Sequence, residues 1–364
     1  MNMDDNLIFA VIGAGNTGQA MAGYLKLKGF AVRLYDRSEW RFKSLRKHSM
    51  RLSDEIVSSQ KIDLLTTNLN EAVHGANFII VSTSTTAHIE IAKRLSEILT
   101  NDQTILLHPG RTGGALIFKK ILRENRPDLK ITIGEFESSI FTTRVSATGS
   151  TVHYYGIKNG VHFSTLPAVD VRKIFQILKD IFPQIETYPN VLYTSLNNYG
   201  AILHPAPTLF NIGRIENGHS YTHYIEGITP SIANFLEKLD YERITLGKYF
   251  KIRLKPLNVW LSDTYGSKGD NLYDLLHNTH AYRKILGPDT LQHRYIVEDT
   301  LNGLVPFVHL ARKCGIGLPI TENLTNLIGH LLNIDVISLG RDLNDMGIAS
   351  MDVNQILDYV TNGD

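Results

Sequence analysis

The chain has 364 residues, too long for one comfortable hydrophobic core, and a mixed globular composition that points to two domains. Lys and Arg number 37 against 36 Asp and Glu, a formal charge of +1, so no global field draws the molecule to nucleic acid or to an anionic membrane, and small molecules are the expected partners. The single cysteine, Cys314, excludes an internal disulfide and a thiolate metal cluster, and suits a reducing cytoplasm.

In chain order, the apolar run at residues 7–14 is too short to span a membrane and follows no basic stretch, so it reads as a buried strand rather than a signal peptide. Further β-rich runs fall at residues 31–35, 78–82, 104–108 and 131–135, separated by helical patterns. Strands apolar on both faces imply a parallel sheet covered by helices. After the first run comes GAGNTG, with Met21, Ala22 and Leu25 at helical spacing and Gly29 where a C-terminal cap belongs.

A strand, a glycine turn and a helix give the GxGxxG pattern its meaning. Gly13 permits the sharp turn, Gly15 admits a pyrophosphate to the backbone, and Gly18 lets the helix pack close to the strand. The helix start at Asn16 and Thr17 offers N–H groups to the anion. Asp36 lies 18 residues beyond Gly18, where a carboxylate accepts hydrogen bonds from the adenosine ribose. A dinucleotide cofactor follows, NAD or NADP: Asp36 repels a 2′-phosphate and Arg37 could pair with one, a balance that slightly favours NAD. The stretch LLHPGRTGGAL, residues 106–116, reads as a second strand, loop and helix, either near the nicotinamide half or an ordinary turn built on Pro109 and Gly110.

From about Val191 helical spacing takes over, which divides the chain into residues 1–188, a Rossmann domain, and residues 189–364, an all-helical domain, with a substrate expected in the cleft between them. Thr229 is a natural helix cap, Pro230 suits the first turn, and Ile232, Phe235, Leu236 and Leu239 form one apolar face. His204 sits among apolar residues just before Pro205, which interrupts a helix there; taken alone, it reads first as a hydrogen-bonded core histidine. Arg294 and Asp299 are five residues apart, either on different sides of one helix or straddling its start. No HExxH or other metal-binding spacing is visible, so no metal is expected.

The segments GAGNTGQAMA, HPGRTGGAL, NNYGAILHPAPTLFNIGRIE, YIEGITPSIANFLEKLDYERI and RYIVEDTLNGLVP together resemble the octopine/nopaline (opine) dehydrogenase family over nearly the whole chain. That resemblance implies an N-terminal Rossmann domain, an all-α C-terminal domain and NAD(P)H-dependent reduction of the imine formed by a 2-oxo acid and an amino acid. It also implies that His204 is the catalytic histidine, Asp299 its partner, and Arg294 the residue that binds a substrate carboxylate. A 2-oxo acid and an amino acid would be the partners, with neither nucleic acid nor membrane involved and a homodimer left open. The alternatives are another two-domain reductase, of ketopantoate or 2-hydroxyacid type, or a non-catalytic NAD(P)H sensor. Residues 251–270, where substrate loops would vary, name no amino acid.

Overall fold

The computed structural model describes residues 7–363. It forms two compact units, the first comprising Met1–Gly110, Gly114–Val191 and Val360–Asp364, the second Arg111–Gly113 and Leu192–Tyr359. The division expected after residue 188 therefore lies three residues before the main limit at Val191, and two short segments lie on the other side of it: Arg111–Gly113 belongs with the helical unit and the C-terminal residues belong with the sheet. Sequence periodicity cannot assign such segments, because their membership is decided by tertiary contacts.

The first unit is built on an eight-stranded sheet. Its strands are β1 (Ile8–Ile12), β2 (Ala31–Tyr35), β5 (Leu64–Thr66), β6 (Phe78–Val81), β7 (Thr104–Leu107), β8 (Thr132–Phe136), β11 (Val161–Leu166) and β12 (Ile185–Thr187), in the order β12-β11-β8-β7-β6-β1-β2-β5. All neighbours are parallel except β8 and β11. The central strands FIIV and TILL are buried at every position, as strands covered on both faces must be. Helices α1 (Asn16–Leu27), α2 (Leu69–Val73), α3 (His88–Ser96), α4 (Gly114–Asn125) and α5 (Val171–Ile181) belong to the same unit, and Phe9, Val11, Met21, Leu25, Phe136, Phe163 and Phe182 are among the residues of its core.

A second sheet, of order β4-β3-β10-β9, was not expected; it contains β3 (Met50–Asp54), β4 (Ser58–Gln60), β9 (Phe141–Val145) and β10 (Thr151–Ile157). Its central pair, β3 and β10, is parallel and joins residues about a hundred positions apart, so no local pattern announces it. Tyr154 of β10 is fully buried, and its hydroxyl donates to the Ala20 carbonyl oxygen of α1, which ties the small sheet to the glycine-turn helix.

Among the described residues the second unit is helical, with one isolated β-bridge between Thr222 and Leu286. Its long helix Pro230–Tyr249 starts as expected, the Thr229 side chain accepting from the Ile232 N–H. The buried face differs: Ala233, Leu236, Leu239, Arg243 and Leu246 lie inside, while Ile232 and Phe235 are only half-buried. The reason is a buried guanidinium. Arg243 donates to Asp240 at 2.8 Å, to the Leu196 carbonyl at 3.0 Å and to Asn197 Oδ1 at 2.7 Å, so polar residues that a hydrophobic pattern would turn outward form the inward stripe. Glu242, adjacent to Arg243 in the chain, accepts from the Ile320 and Thr321 N–H groups and caps helix Pro319–Leu332. No described helix is long and apolar enough to cross a membrane.

Candidate active site

In the first unit, β1 pairs with β2 on one side and β6 on the other, and the chain reverses direction across the sheet at this point. Open parallel sheets bind ligands at the carboxyl ends of such strands. Gly13 leaves β1 with φ +105°, a conformation an L-residue rarely adopts, and donates to the Tyr35 carbonyl at 2.8 Å. Gly15 caps α1 in an extended conformation and without any side-chain cap, and a Cβ built on it meets nothing within 4 Å, so the helix N-terminus opens onto space that a side chain would fill. A Cβ on Gly18 would run into the Gly13 carbonyl oxygen. These residues fit a pyrophosphate held by backbone N–H groups.

Asp36 follows β2 directly and uses both oxygens within the turn: Oδ2 accepts from the Ala14 N–H at 2.8 Å and Oδ1 from the Ser38 N–H at 3.0 Å. It fastens the glycine turn to the second strand, and each oxygen keeps acceptor capacity for a ribose hydroxyl. Arg37 is exposed beside it. Asn16 is not aimed at a ligand by its side chain, because its Oδ1 accepts from the Val145 N–H of β9 at 2.8 Å, leaving its backbone N–H as its contribution; Thr17 is half-buried.

In the second unit, helix Tyr199–Leu203 ends where Pro205 begins helix Pro205–Phe210, and His204 occupies the break. Its Nδ1 lies 2.7 Å from Asp299 Oδ2, its Nε2 lies 3.0 Å from the Tyr224 hydroxyl, and its ring stacks on Tyr295 at 3.9 Å and 9°. Burial pushes the imidazole down to about 4; Asp299 opposes the shift, and the charges of Arg111 and Arg294 add to it. Burial alone would raise Asp299, but Arg111 first, then His204 and Arg294, hold it at about 2. Near neutral pH the pair is therefore an ionised carboxylate and a neutral imidazole. A carboxylate only accepts, so Nδ1 carries the ring proton and Nε2 presents its lone pair.

Asp299 ends the short turn Val297–Asp299 and runs into a π-helical stretch, Thr300–Leu304, of the kind that often marks functional sites. Its second oxygen faces Arg111 Nη2 at 3.5 Å, and Arg111 Nη1 donates to Asn198 Oδ1 at 3.1 Å. All three side chains are buried. A Cβ on Gly200 would collide with the Arg111 guanidinium, so this helix must present a glycine for the charges to meet.

Arg294 straddles the start of that turn: its carbonyl accepts from the Glu298 and Asp299 N–H groups, its side chain is exposed, and its guanidinium carbon lies 5.4 Å from the centroid of the Tyr295 ring on which His204 stacks. The structure thus brings His204 and Asp299 into contact and sets Arg294 at the adjacent aromatic ring. Arg111, Asn198, Tyr224 and Tyr295 were missed. A charged residue inside the Pro/Gly stretch HPGRTGG was a usable signal for Arg111, whereas nothing periodic marks Tyr224 in HSYTHYIEG.

A family model described as NAD/NADP octopine/nopaline dehydrogenase, alpha-helical domain, matches residues 187–332, and one described as ketopantoate reductase PanE/ApbA matches residues 9–150. An opine dehydrogenase of Arthrobacter sp. (strain 1C) is 36% identical over 351 residues, 96% of this chain and 97% of that protein. Among solved structures, an octopine dehydrogenase with NADH and L-arginine superposes with a TM-score of 0.77 at 17% identity, covering 98% of both chains. A yersinopine dehydrogenase bound to NADP+ superposes with a TM-score of 0.74 at 14% identity, covering 99% of both.

Proposed function

This chain belongs to the opine dehydrogenase family and is an NAD(P)-dependent oxidoreductase acting on CH–NH donors, and we propose that it condenses a 2-oxo acid such as pyruvate with the amino group of an amino acid and reduces the resulting imine to a secondary amine dicarboxylate, reversibly. The observation that carries the reading is the buried 2.7 Å pair of a neutral His204 and an ionised Asp299. Octopine dehydrogenase, of the same fold, has been solved with NADH and L-arginine and with NADH and pyruvate, which supports this substrate class.

Residues 1–188 serve as the dinucleotide domain and residues 189–364 as the catalytic one. Gly13, Gly15 and Gly18 shape the cradle, the N–H groups at Asn16 and Thr17 hold the pyrophosphate, and Asp36 receives the ribose. When bound, the cofactor supplies the hydride. NADH is slightly preferred, because Asp36 repels a 2′-phosphate that only the exposed Arg37 could offset. His204 takes the proton that an amino acid's ammonium must lose to become a nucleophile, and returns one when the hydroxyl of the adduct leaves as water. Asp299 fixes the tautomer that leaves Nε2 basic and stabilises the imidazolium once it forms. Arg294 binds the oxo acid's carboxylate and orients its carbon for reduction. The one cysteine suits a cytoplasmic setting.

The test is oxidation of NADH and NADPH with pyruvate and other 2-oxo acids, each with and without every amino acid. Oxidation is expected only when both substrates are present. Oxidation by an oxo acid alone would favour a ketopantoate or 2-hydroxyacid reductase, and binding of NAD(P)H without oxidation by any mixture would favour a sensor.

A further inference from the structure

The basic nitrogen of His204 is not open. Nδ1 keeps its proton and donates it in a hydrogen bond to a carboxylate, so Nε2 of the neutral ring can only accept, and the group 3.0 Å from it is the Tyr224 hydroxyl. The phenol is therefore the donor in that bond. Tyr224 is buried and its ring is locked, stacked on Tyr282 at 3.9 Å and 13° and edge-on to His223 at 4.8 Å. Tyr295 covers one face of the imidazole, and Asp299 closes its other nitrogen. In this arrangement a proton passing between His204 and a substrate meets the Tyr224 oxygen at Nε2. A phenolic oxygen has two acceptor lone pairs as well as its proton, so donating to Nε2 leaves it able to accept.

We propose that Tyr224 is the proton relay between His204 and the substrate nitrogen or oxygen. The inference rests on the proton-exchange reading of His204 given above. In the forward direction an N–H bond of the substrate ammonium breaks and its proton forms an O–H bond on Tyr224. The original Tyr224 O–H bond breaks, and that proton joins Nε2. The ammonium becomes a neutral amine, the phenol is neutral before and after, and the positive charge arrives on an imidazolium paired with Asp299. On dehydration of the adduct the same two bonds shift in reverse: Nε2 returns its proton to Tyr224 while the Tyr224 proton goes to the departing hydroxyl, which leaves as water. No oxidant or further reactant is needed. The ionisable and charged groups that surround the relay are Asp299, Arg111, Arg294, His223, Tyr282 and Tyr295, and Asp299 is the partner for the charge that forms on the imidazole.

The experiment compares wild-type, Tyr224→Phe and His204→Ala enzymes in single-turnover NADH oxidation with an oxo acid and amine pair, in H2O/D2O mixtures, with melting temperature and NADH affinity measured in parallel. Tyr224→Phe keeps the ring and its stack but removes the hydroxyl. The expected result is a fall in rate of at least ~10-fold, within the span of general acid–base effects, with NADH affinity and melting temperature held. The wild-type rate should show a curved dependence on deuterium fraction, from two protons in flight, and the variant should lose the curvature. A Tyr224→Phe rate within twofold of wild type would overturn the relay, and so would a linear wild-type dependence, which needs no variant to fold. If His204→Ala abolishes turnover while Tyr224→Phe does not, the relay alone falls; if His204→Ala is itself without effect, the proton-exchange reading falls with it.

Discussion

The glycine turn from Gly13 to Gly18 brings together backbone atoms that are neighbours in sequence, whereas the His204 site gathers side chains from separate stretches of the chain, those of Arg111, Asn198, Tyr224, Tyr295 and Asp299. The first is a matter of shape. Its partial charges belong to peptide groups that any substitution other than proline leaves in place, and as a cofactor cradle it is expected to fail when a side chain occupies the open space above Gly15. The second is a matter of balance. Burial pushes His204 towards neutrality, Asp299 pulls it the other way, and Arg111 keeps Asp299 ionised, so removing one charge changes the protonation of the rest. Substitutions that separate steric from electrostatic failure therefore separate the two regions.

The largest effect is expected at the pair itself. His204→Ala should lower kcat by about 10²- to 10⁴-fold with NADH affinity unchanged. Asp299→Asn should leave the fold intact and the imidazole wrongly held. Because the two act as one unit, the double variant should lose little more than His204→Ala alone. A cycle on kcat checks this, and two fully additive losses would show that the 2.7 Å contact is structural only.

Gly15→Val is the steric counterpart. Its backbone is extended with φ −79°, so valine adds no strain, and beyond the adjoining residues nothing lies within 4 Å of the new Cβ. The folded chain should accept the side chain and only the ligand should meet it. Cofactor Kd is expected to rise by on the order of 100-fold, the loss of one or two charge-assisted hydrogen bonds, with melting temperature held. Unchanged affinity in a fluorescence titration would remove the cradle reading. Gly18→Ala would make a poor test, since its Cβ strikes the Gly13 carbonyl oxygen and would damage the fold itself.

The same contrast explains what could be read from the residues in advance. The strands β1, β2, β6, β7 and β8 and the turn between them are local patterns, and so were visible to within a residue or two at their ends. The break at His204 was visible because Pro205 cannot continue a helix. The parallel pairing of β3 with β10, the inward turn of Arg243 and the approach of Arg111 to Asp299 depend on residues far apart in the chain. The contact between His204 and Asp299 had no local signature and was legible only through the family resemblance. Burial then adds what neither pattern nor resemblance carries, namely which of the two is charged.

A smaller effect is expected where a charge is exposed rather than buried. Arg294→Ala should raise the KM for the oxo acid roughly 10-fold, one charge-assisted bidentate contact discounted for solvent, and leave the cofactor KM near its original value. Equal changes in both would make Arg294 a support for the Tyr295 ring rather than a carboxylate anchor.

A different kind of effect lies in the pH dependence of stability, and it again sets the two units side by side. His204 in the helical unit is pushed by burial to about 4, and His108 in the sheet unit, where Ile140 donates to its Nε2, is pushed by burial and then by Lys158 to about 3. Both have an ordinary value of 6.5, so below that pH the unfolded chain binds protons that the folded chain refuses. Stability must then fall as pH falls from 6.5, with the His204 share exhausted near 4 and the His108 share continuing to about 3. Asp299 acts in a lower window: its folded value of about 2 lies below its ordinary 3.8, so its contribution is complete above 3.8 and is lost on the way down to 2. Between pH 6.5 and 4, His204→Gln should reduce the slope of unfolding free energy by one proton's worth, about 1.4 kcal/mol per pH unit, while the His108 slope remains. Chemical denaturation at a series of pH values measures this directly. An identical slope in the variant would mean that His204 binds its proton equally in the folded and unfolded states, and the neutral imidazole on which the proton exchange depends would be lost with it.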